Sequence, residues 1–448
     1  MTTGIIELND AGIRVNAGGD WQLCAESPGV AVVNKQELLL GEDALRQSRL
    51  QPVHTNSLFW HRLSTEPLSL PNSRYRHHAD LAYSHLLSLH QQIANCTEII
   101  FALPGSFTRQ QMSLLLGIVS QCPFDAVGLV DSAVAACAPH ARGPSLIHVD
   151  LQLHQCVFTS IQADSQVQRT QVDVLPYCGL LALREQWAKV IADQFIDQCR
   201  FDPLHSAVAE QSLYDQLPEW LRQYHDNAEL FLEIGGKSIK LPRELMASAV
   251  QPVYQRIVEK LTQFTAVPDQ ILLGDRLAAQ PGLVDLFTAS LDQKVQPLPA
   301  SAVVKGVQAN IEMIRTDADQ LGFVQTLPKV GSEMSVPETT SGSQAKKDIS
   351  TAATHLLVGD KAYPFGATTL YVNLDTQHVT TDPTADNIHC GIRKQGDGIA
   401  LLPHNGAKLR MNEQPVNDNC LLSRGDRVGL DSTPQVLTLI KVIEGNGS

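Results

Sequence analysis

Alternation of apolar and polar positions lays out the first stretch of the chain. GIIELN, IRVNA and WQLCAE read as three short strands, with Asp10-Ala11-Gly12 and Gly18-Gly19-Asp20 as the turns between them. SHLLSLHQQIA has helical spacing, and TEIIFALP is the unbroken apolar run of a buried strand. The spacing predicts a helix over 107–120 with Thr108 as N-cap. AVGLVDSAVAACA reads as a strand running into a helix. SLIHVDLQLHQCVFTSI and VQRTQVDVL form an antiparallel meander. LLALREQWAKVIADQF and LMASAVQPVYQRIVEKLTQF are amphipathic helices, the second followed by the strand QILLG and a helix from Gly282. Antiparallel meanders interleaved with crossover helices indicate an α/β fold with a mixed sheet.

The pattern breaks once. Residues 326–352, TLPKVGSEMSVPETTSGSQAKKDISTA, are rich in Pro, Ser, Thr, Gly and Lys, and read as a flexible linker. It separates an α/β part, 1–325, from a third part, 353–448, of short strands with turn signals such as YPFG, KQGDG and SRGDR.

Composition narrows the function classes. Of 448 residues, 34 are basic and 47 acidic, a formal charge of −13 that argues against a nucleic-acid backbone or an anionic membrane as main partner. Nine cysteines without a C-x-x-C pair fit a reducing compartment. MTTGIIELND lacks the features of a secretory signal, and no apolar run spans a bilayer. A cytoplasmic location is expected, with association to a membrane complex open only through partner proteins.

The most informative turn is Asp150-Leu151-Gln152-Leu153-His154-Gln155. A loop after an apolar strand that ends in Asp often cradles phosphate, and such loops need glycine for close backbone approach and positive φ. This one has none.

The order of segments resembles the nucleotide-binding domain of the actin-like ATPases, most closely the DnaK-type heat-shock chaperones. The resemblance runs through LLLGEDALRQSRLQPVHTNSLFWHRL, FALPGSFTRQQMSLLLGIVSQCPFDAVGLVDSAVAACA, LPRELMASAVQPVYQRIVEKL, ILLGDRLAAQPGLVDLF and PASAVVKGVQA. It implies an actin-like (ribonuclease H-like) two-lobed fold with two phosphate-binding hairpins, two magnesium-holding aspartates, a Lys, a Glu and an adenosine Gly-Gly. Most of these are replaced. Glu7 stands for the first Asp, and Asn9-Asp10-Ala11 for the Gly-Thr-Thr run. Asp150 remains, while Gln152, Leu153 and His154 take the glycine positions and Gln155 the threonine. His61 falls on the lysine, Asp131 on the glutamate, and Asp275 on the second adenosine glycine after the retained Gly274. Ala300 stands where an acid belongs. The expectation is a pseudo-ATPase, with three side chains projecting where phosphate would sit and each straining a non-glycine φ. No cofactor is expected; ATP with magnesium, held in an altered mode by Glu7, Asp131 and Asp150, is the disfavoured alternative.

Residues 353–448 resemble a forkhead-associated domain, a small all-β sandwich that reads phosphothreonine, through KAYPFGATTLYVN, NIHCGIRKQGDGIALLPHNGAKLRMNEQPV and LLSRGDRVGL. Its Gly-Arg pair falls near Val372-Asn373 and its serine on Asp386, whereas His389, Asn405 and Gly406 match as peptide-binding candidates. Phosphate reading is expected to be lost with the guanidinium fork.

His77, His78, His85 and His90 lack zinc-site spacing and read as exposed or capping residues. Ser106 reads as a turn residue, and Trp187, Trp220 and Tyr224 as core. The function expected is a non-catalytic adaptor or scaffold for protein partners. The alternatives are a nucleotide-gated switch and a chaperone-like ATPase.

Overall fold

The computed structural model describes residues 2–17, 21–35, 37–70, 74–224, 226–264, 268–316, 321–329, 355–358, 361–365, 368–376, 378–382, 384–385, 387–395, 398–404, 407–411, 414–416, 420–422, 427–430 and 436–440. The Gly18-Gly19-Asp20 turn, most of the expected linker, Asp386, Asn405 and Gly406 lie outside them. Contacts divide the chain into two units, Met1–Ser335 and Val336–Ser448.

The first unit opens with strands β1 (Thr2–Glu7), β2 (Ile13–Ala17) and β3 (Gln22–Ser27). Short strands β4 (Ala31–Val33), β5 (Leu38–Leu40) and β6 (Thr55–Asn56) follow, with helix α1 (Gly41–Leu45) between the last two. Then come α2 (His78–His90), β7 (Cys96–Leu103), α3 (Arg109–Val119), β8 (Asp125–Asp131) and α4 (Ser132–Cys137). A second meander, β9 (Ser145–Leu151), β10 (Gln155–Ala163) and β11 (Gln166–Pro176), leads into α5 (Leu180–Cys199) and α6 (Ala207–Gln223). The hairpin β12 (Glu229–Ile234) and β13 (Lys237–Pro242) precedes α7 (Arg243–Thr262), β14 (Gln270–Leu273), α8 (Asp275–Ala278), α9 (Leu283–Ser290) and β15 (Lys294–Pro297). The unit closes with α10 (Ala302–Ala309), α11 (Ile311–Ile314), β16 (Phe323–Val324) and β17 (Thr326–Pro328).

Two six-stranded mixed sheets carry this unit, in orders β16-β8-β7-β1-β2-β3 and β15-β14-β9-β10-β11-β17. The two-residue period of a strand assigns their faces. Ile6 joins one core with Leu81, Leu86 and Leu115 of α2 and α3, whereas Ile5 joins another with Ala135 and Val307 of α4 and α10. In the second sheet Ile147, Val149 and Leu151 meet Trp187, Ile191, Val250 and Ile257 of α5 and α7. Leu146 turns the other way, into the α4–α10 core. The α4–α10 layer therefore lies between the sheets. It is thin because its residues are small: a Cβ on Gly306 would lie 1.8 Å from the carbonyl oxygen of Ala135.

Thr108 caps α3, as the spacing indicates, in a capping box with Gln111. Two expectations need correction. Thr326–Pro328, placed in the linker, is a strand: Thr326, Leu327 and Pro328 pair with Gln168, Val167 and Gln166 of the β11 edge. Polar composition hid it, because the ladder uses backbone groups. The histidines of α2 are not exposed either. His77 does serve in the α2 capping box, but His78, His85 and His90 are buried. Trp60 Nε1 donates to His85 Nδ1 (3.1 Å), so Nε2 carries the proton and donates to Ser27 Oγ (2.8 Å). Burial lowers His85 to about 4, which keeps it neutral. Trp187 and Trp220 are core residues.

In the second unit β18 (His355–Val358), β19 (Lys361–Pro364), β20 (Leu370–Asn373), β21 (His378–Thr380), β22 (Cys390–Gln395) and β23 (Gly398–Pro403) are followed by β24 (Leu409–Met411), β25 (Gln414–Val416), β26 (Cys420–Leu422), β27 (Arg427–Leu430) and β28 (Val436–Ile440). They form two antiparallel sheets, β19-β18-β28-β27-β24-β25 and β21-β20-β22-β23-β26. Leu356, Val428 and Leu437 of one share a core with Val372, Cys390 and Leu401 of the other.

Candidate functional site

The β1–β2 and β9–β10 turns face each other across the gap between the two sheets, and they are bonded directly. Asn9 Oδ1 accepts from Ala11 N (2.9 Å), which fixes the first turn. That orients Asn9 Nδ2 to donate to Asp150 Oδ2 (2.9 Å) and to Leu151 O (3.1 Å). Leu153 N donates to Asp10 Oδ1 (2.8 Å). Three of the second turn's polar groups thus end on side chains of the first.

The glycine-free turn is held by its own side chains. Gln152 N donates to Gln155 O (2.9 Å), and Gln155 Nε2 to Gln152 Oε1 (2.8 Å). Leu153 is 1% exposed and packs with Val30, Val32 and Ala44. The His154 Nε2–H donates to Ser57 O (2.9 Å). The first amides of α5 close the rear: Leu180 N donates to Gln152 O (2.9 Å) and Leu181 N to Leu153 O (3.1 Å). A helix N-terminus is a ready anion site only while its amides are free, and these two are taken. Gly179 permits the contact, since a Cβ there would sit 2.4 Å from Leu153 O and Gln155 N.

This corrects the expected geometry in two respects. Leu153 and His154 are turned sideways onto Val30, Val32 and Ala44 and onto Ser57 O, whereas Gln152, bonded to Gln155, lines a small cavity beside Asp10. None of the three is strained, because the described non-glycine residues with positive φ are Trp21, Tyr177, Arg200 and Asn387.

Two arginines close the gap. Arg14 of β2 makes a two-pronged pair with Asp275 of α8 (3.0 and 2.6 Å), donates to Ala300 O (3.2 Å) and meets Glu26 (3.2 Å). Arg276 of α8 pairs with Glu7 of β1 (2.6 Å) and donates to Gly12 O. The four residues cross-link the sheets in both directions. Both guanidiniums are held charged: burial opposes this, but for Arg14 the Asp275 hydrogen bond and nearby carboxylates outweigh it, and for Arg276 the Glu7 charge does. Asp275 sits below its ordinary range; burial raises it, and Arg14 and Arg276 more than reverse that. Burial lifts Glu7, Asp150 and Asp10 against their partners, Asp10 to about 6. Beside Glu7, Asp150 and Gly274 the space left is about 20 Å³, room for about one water. Among the described residues no three His, Cys, Asp or Glu side chains group to hold a metal ion.

The structure thus brings together Glu7, Asn9, Asp150, Gly274 and Asp275. His61 lies on another side, its ring 5.2 Å from that of His154, with burial lowering its pKa. Asp131 is apart from both: it caps α4 by accepting from Ala133 and Val134 amides and pairs with Arg169 (2.6 Å). Arg14 and Arg276 carry the site together with Asp10; in the sequence Asp10 stands out only within the run that replaces Gly-Thr-Thr, and the two arginines not at all. The available signal was an arginine between Ile13 and Val15 in the strand IRVNA, which burial obliges to find a carboxylate.

In the second unit His389 is a brace. Its Nδ1 accepts from Leu374 N (3.0 Å), its N–H donates to Val372 O and its carbonyl accepts from His404 N. Asn373 turns its Oδ1 back onto the amides of Asp375 and Thr376. Among the described residues no helix is long and apolar enough to cross a membrane. In comparisons with known proteins, the sequence matches no family model and no curated protein.

Proposed function

We propose that the chain is a non-catalytic adaptor, a pseudo-ATPase on an actin-like two-lobed frame that assembles protein partners together with a forkhead-associated-like second unit. The observation that carries this reading is the direct bonding of the two turns, with Arg14–Asp275 and Arg276–Glu7 beside them. In the frame that the sequence resembles, a triphosphate lies between these turns. Here five carboxylates, of Glu7, Asp10, Glu26, Asp150 and Asp275, surround two guanidiniums, which disfavours an anionic ligand. Admitting one would also break buried ion pairs, each costing about 3–5 kcal/mol when one partner is left alone. The frame is kept for its surfaces, and its closed form does not depend on a bound nucleotide.

Titration calorimetry of the full chain with ATP and magnesium tests this. No binding heat is expected. Micromolar, magnesium-dependent binding would reject the pseudo-ATPase and favour a nucleotide-gated switch; aggregation suppression that needs ATP would favour a chaperone-like ATPase.

A further inference from the structure

A second cavity lies on the other side of the Asp10 turn. Its volume is about 150 Å³, enough for a molecule of roughly six heavy atoms. Leu8, Trp60, Phe107 and Val174 form apolar walls; Asp10 is the one carboxylate of the lining, and the remaining polar groups, His61, Ser106, Gln111, Gln152 and Gln155, carry no negative charge. Asp10 is 5% exposed and its backbone is tied to Gly29, so the carboxylate is fixed in place. One carboxylate oxygen takes the Leu153 amide; no other described group donates to the carboxylate, and no described Lys, Arg or His nitrogen pairs with it within 4.0 Å. A buried carboxylate with one donor has acceptor capacity left over. An anion would meet that charge with Asp150 behind it. A cation would complete it, and aromatic walls suit a cation's carbon and its charge alike.

We propose that this cavity binds a small organic monocation of the guanidinium or alkylammonium class, with its charge on Asp10 and its carbon against Trp60 and Phe107. The groups facing Asp10 are Asp150 and His154 from the β9–β10 turn, Arg276 from α8 and His61 across the cavity. Burial places Asp10 at about 6, so it is ionised at neutral pH and ready to accept the cation. The site is distinct from the closed gap, and its occupancy does not depend on whether that gap admits a nucleotide.

The test is a calorimetric titration of the full chain with methylguanidinium, with methylurea as its neutral counterpart and inorganic phosphate as the anion. Methylguanidinium is expected to bind, and the other two to bind at least about tenfold more weakly. Its affinity should fall roughly tenfold between about pH 8 and about pH 5 as Asp10 takes up its proton. Asp10→Asn should cost about tenfold or more. Val174→Phe, a change at a 44% exposed wall residue that leaves the core untouched, should block entry and cost as much. No binding of methylguanidinium, equal binding of methylurea, or affinity unmoved by both variants would overturn the proposal.

Discussion

The two sheets of the first unit are joined in two places by opposite means. At the α4–α10 layer the joint is apolar and made of small residues, Ala133 to Ala138 against Ala302, Gly306 and Val307. At the paired turns it is polar and ionic, built from Asn9, Asp10, Arg14, Asp150, Asp275 and Arg276. The first joint fixes spacing, because backbone touches backbone there. The second fixes closure, because its two shortest ion pairs, Arg14–Asp275 and Arg276–Glu7, each reach from one side of the gap to the other. An apolar joint is indifferent to pH and salt; a buried ionic joint responds to pH and to the loss of any one partner.

Removing one partner gives the largest contrast. Arg276→Met should cost about 3–5 kcal/mol in urea unfolding, because Glu7 is left buried and uncompensated. Adding Glu7→Gln to it should restore more than half of that loss. A single-variant cost below about 1 kcal/mol would mean that closure does not rest on the pair.

Gly306→Val attacks the other joint. A side chain there meets backbone that cannot give, and a loss of about 3 kcal/mol is expected by the same measurement. No pairing variant should rescue it, which separates the steric joint from the ionic one.

Asp10 reports on pH. Its folded pKa, about 6, lies above the unfolded 3.8, so the folded protein holds the proton more tightly. This contribution is fully present below about pH 4 and is lost as pH rises through about 6. Asp10→Asn should therefore match the wild type near pH 4 and be more stable by up to about 3 kcal/mol near pH 8. Parallel pH profiles for the two proteins would contradict this. Salt should do least. Raising sodium chloride to about 1 M should change stability by under about 0.5 kcal/mol, since buried pairs are poorly screened.

Local signals made much of the frame legible in the sequence. Thr108 with Gln111, the helical spacing of SHLLSLHQQIA and the alternation in IRVNA each report on neighbours a few residues away. The site was legible only in part, because residue type does not give side-chain direction. Leu153 at a glycine position reads as an obstruction, yet it turns into the Val30–Val32–Ala44 cluster of a distant segment. Arg14 finds Asp275 across 261 residues, and periodicity holds no trace of that pairing. The Thr326–Pro328 strand was hidden for the same reason, since its partner edge lies in β11.

Hydrogen exchange at the turns tests closure most directly, because the amides of Leu153, Leu180 and Leu181 bond to Asp10, Gln152 and Leu153 without any ligand. These amides are expected to be strongly protected in the free protein and unchanged by ATP with magnesium. Rapid exchange in the free protein, or protection gained when the nucleotide is added, would contradict a cleft bonded shut by its own side chains.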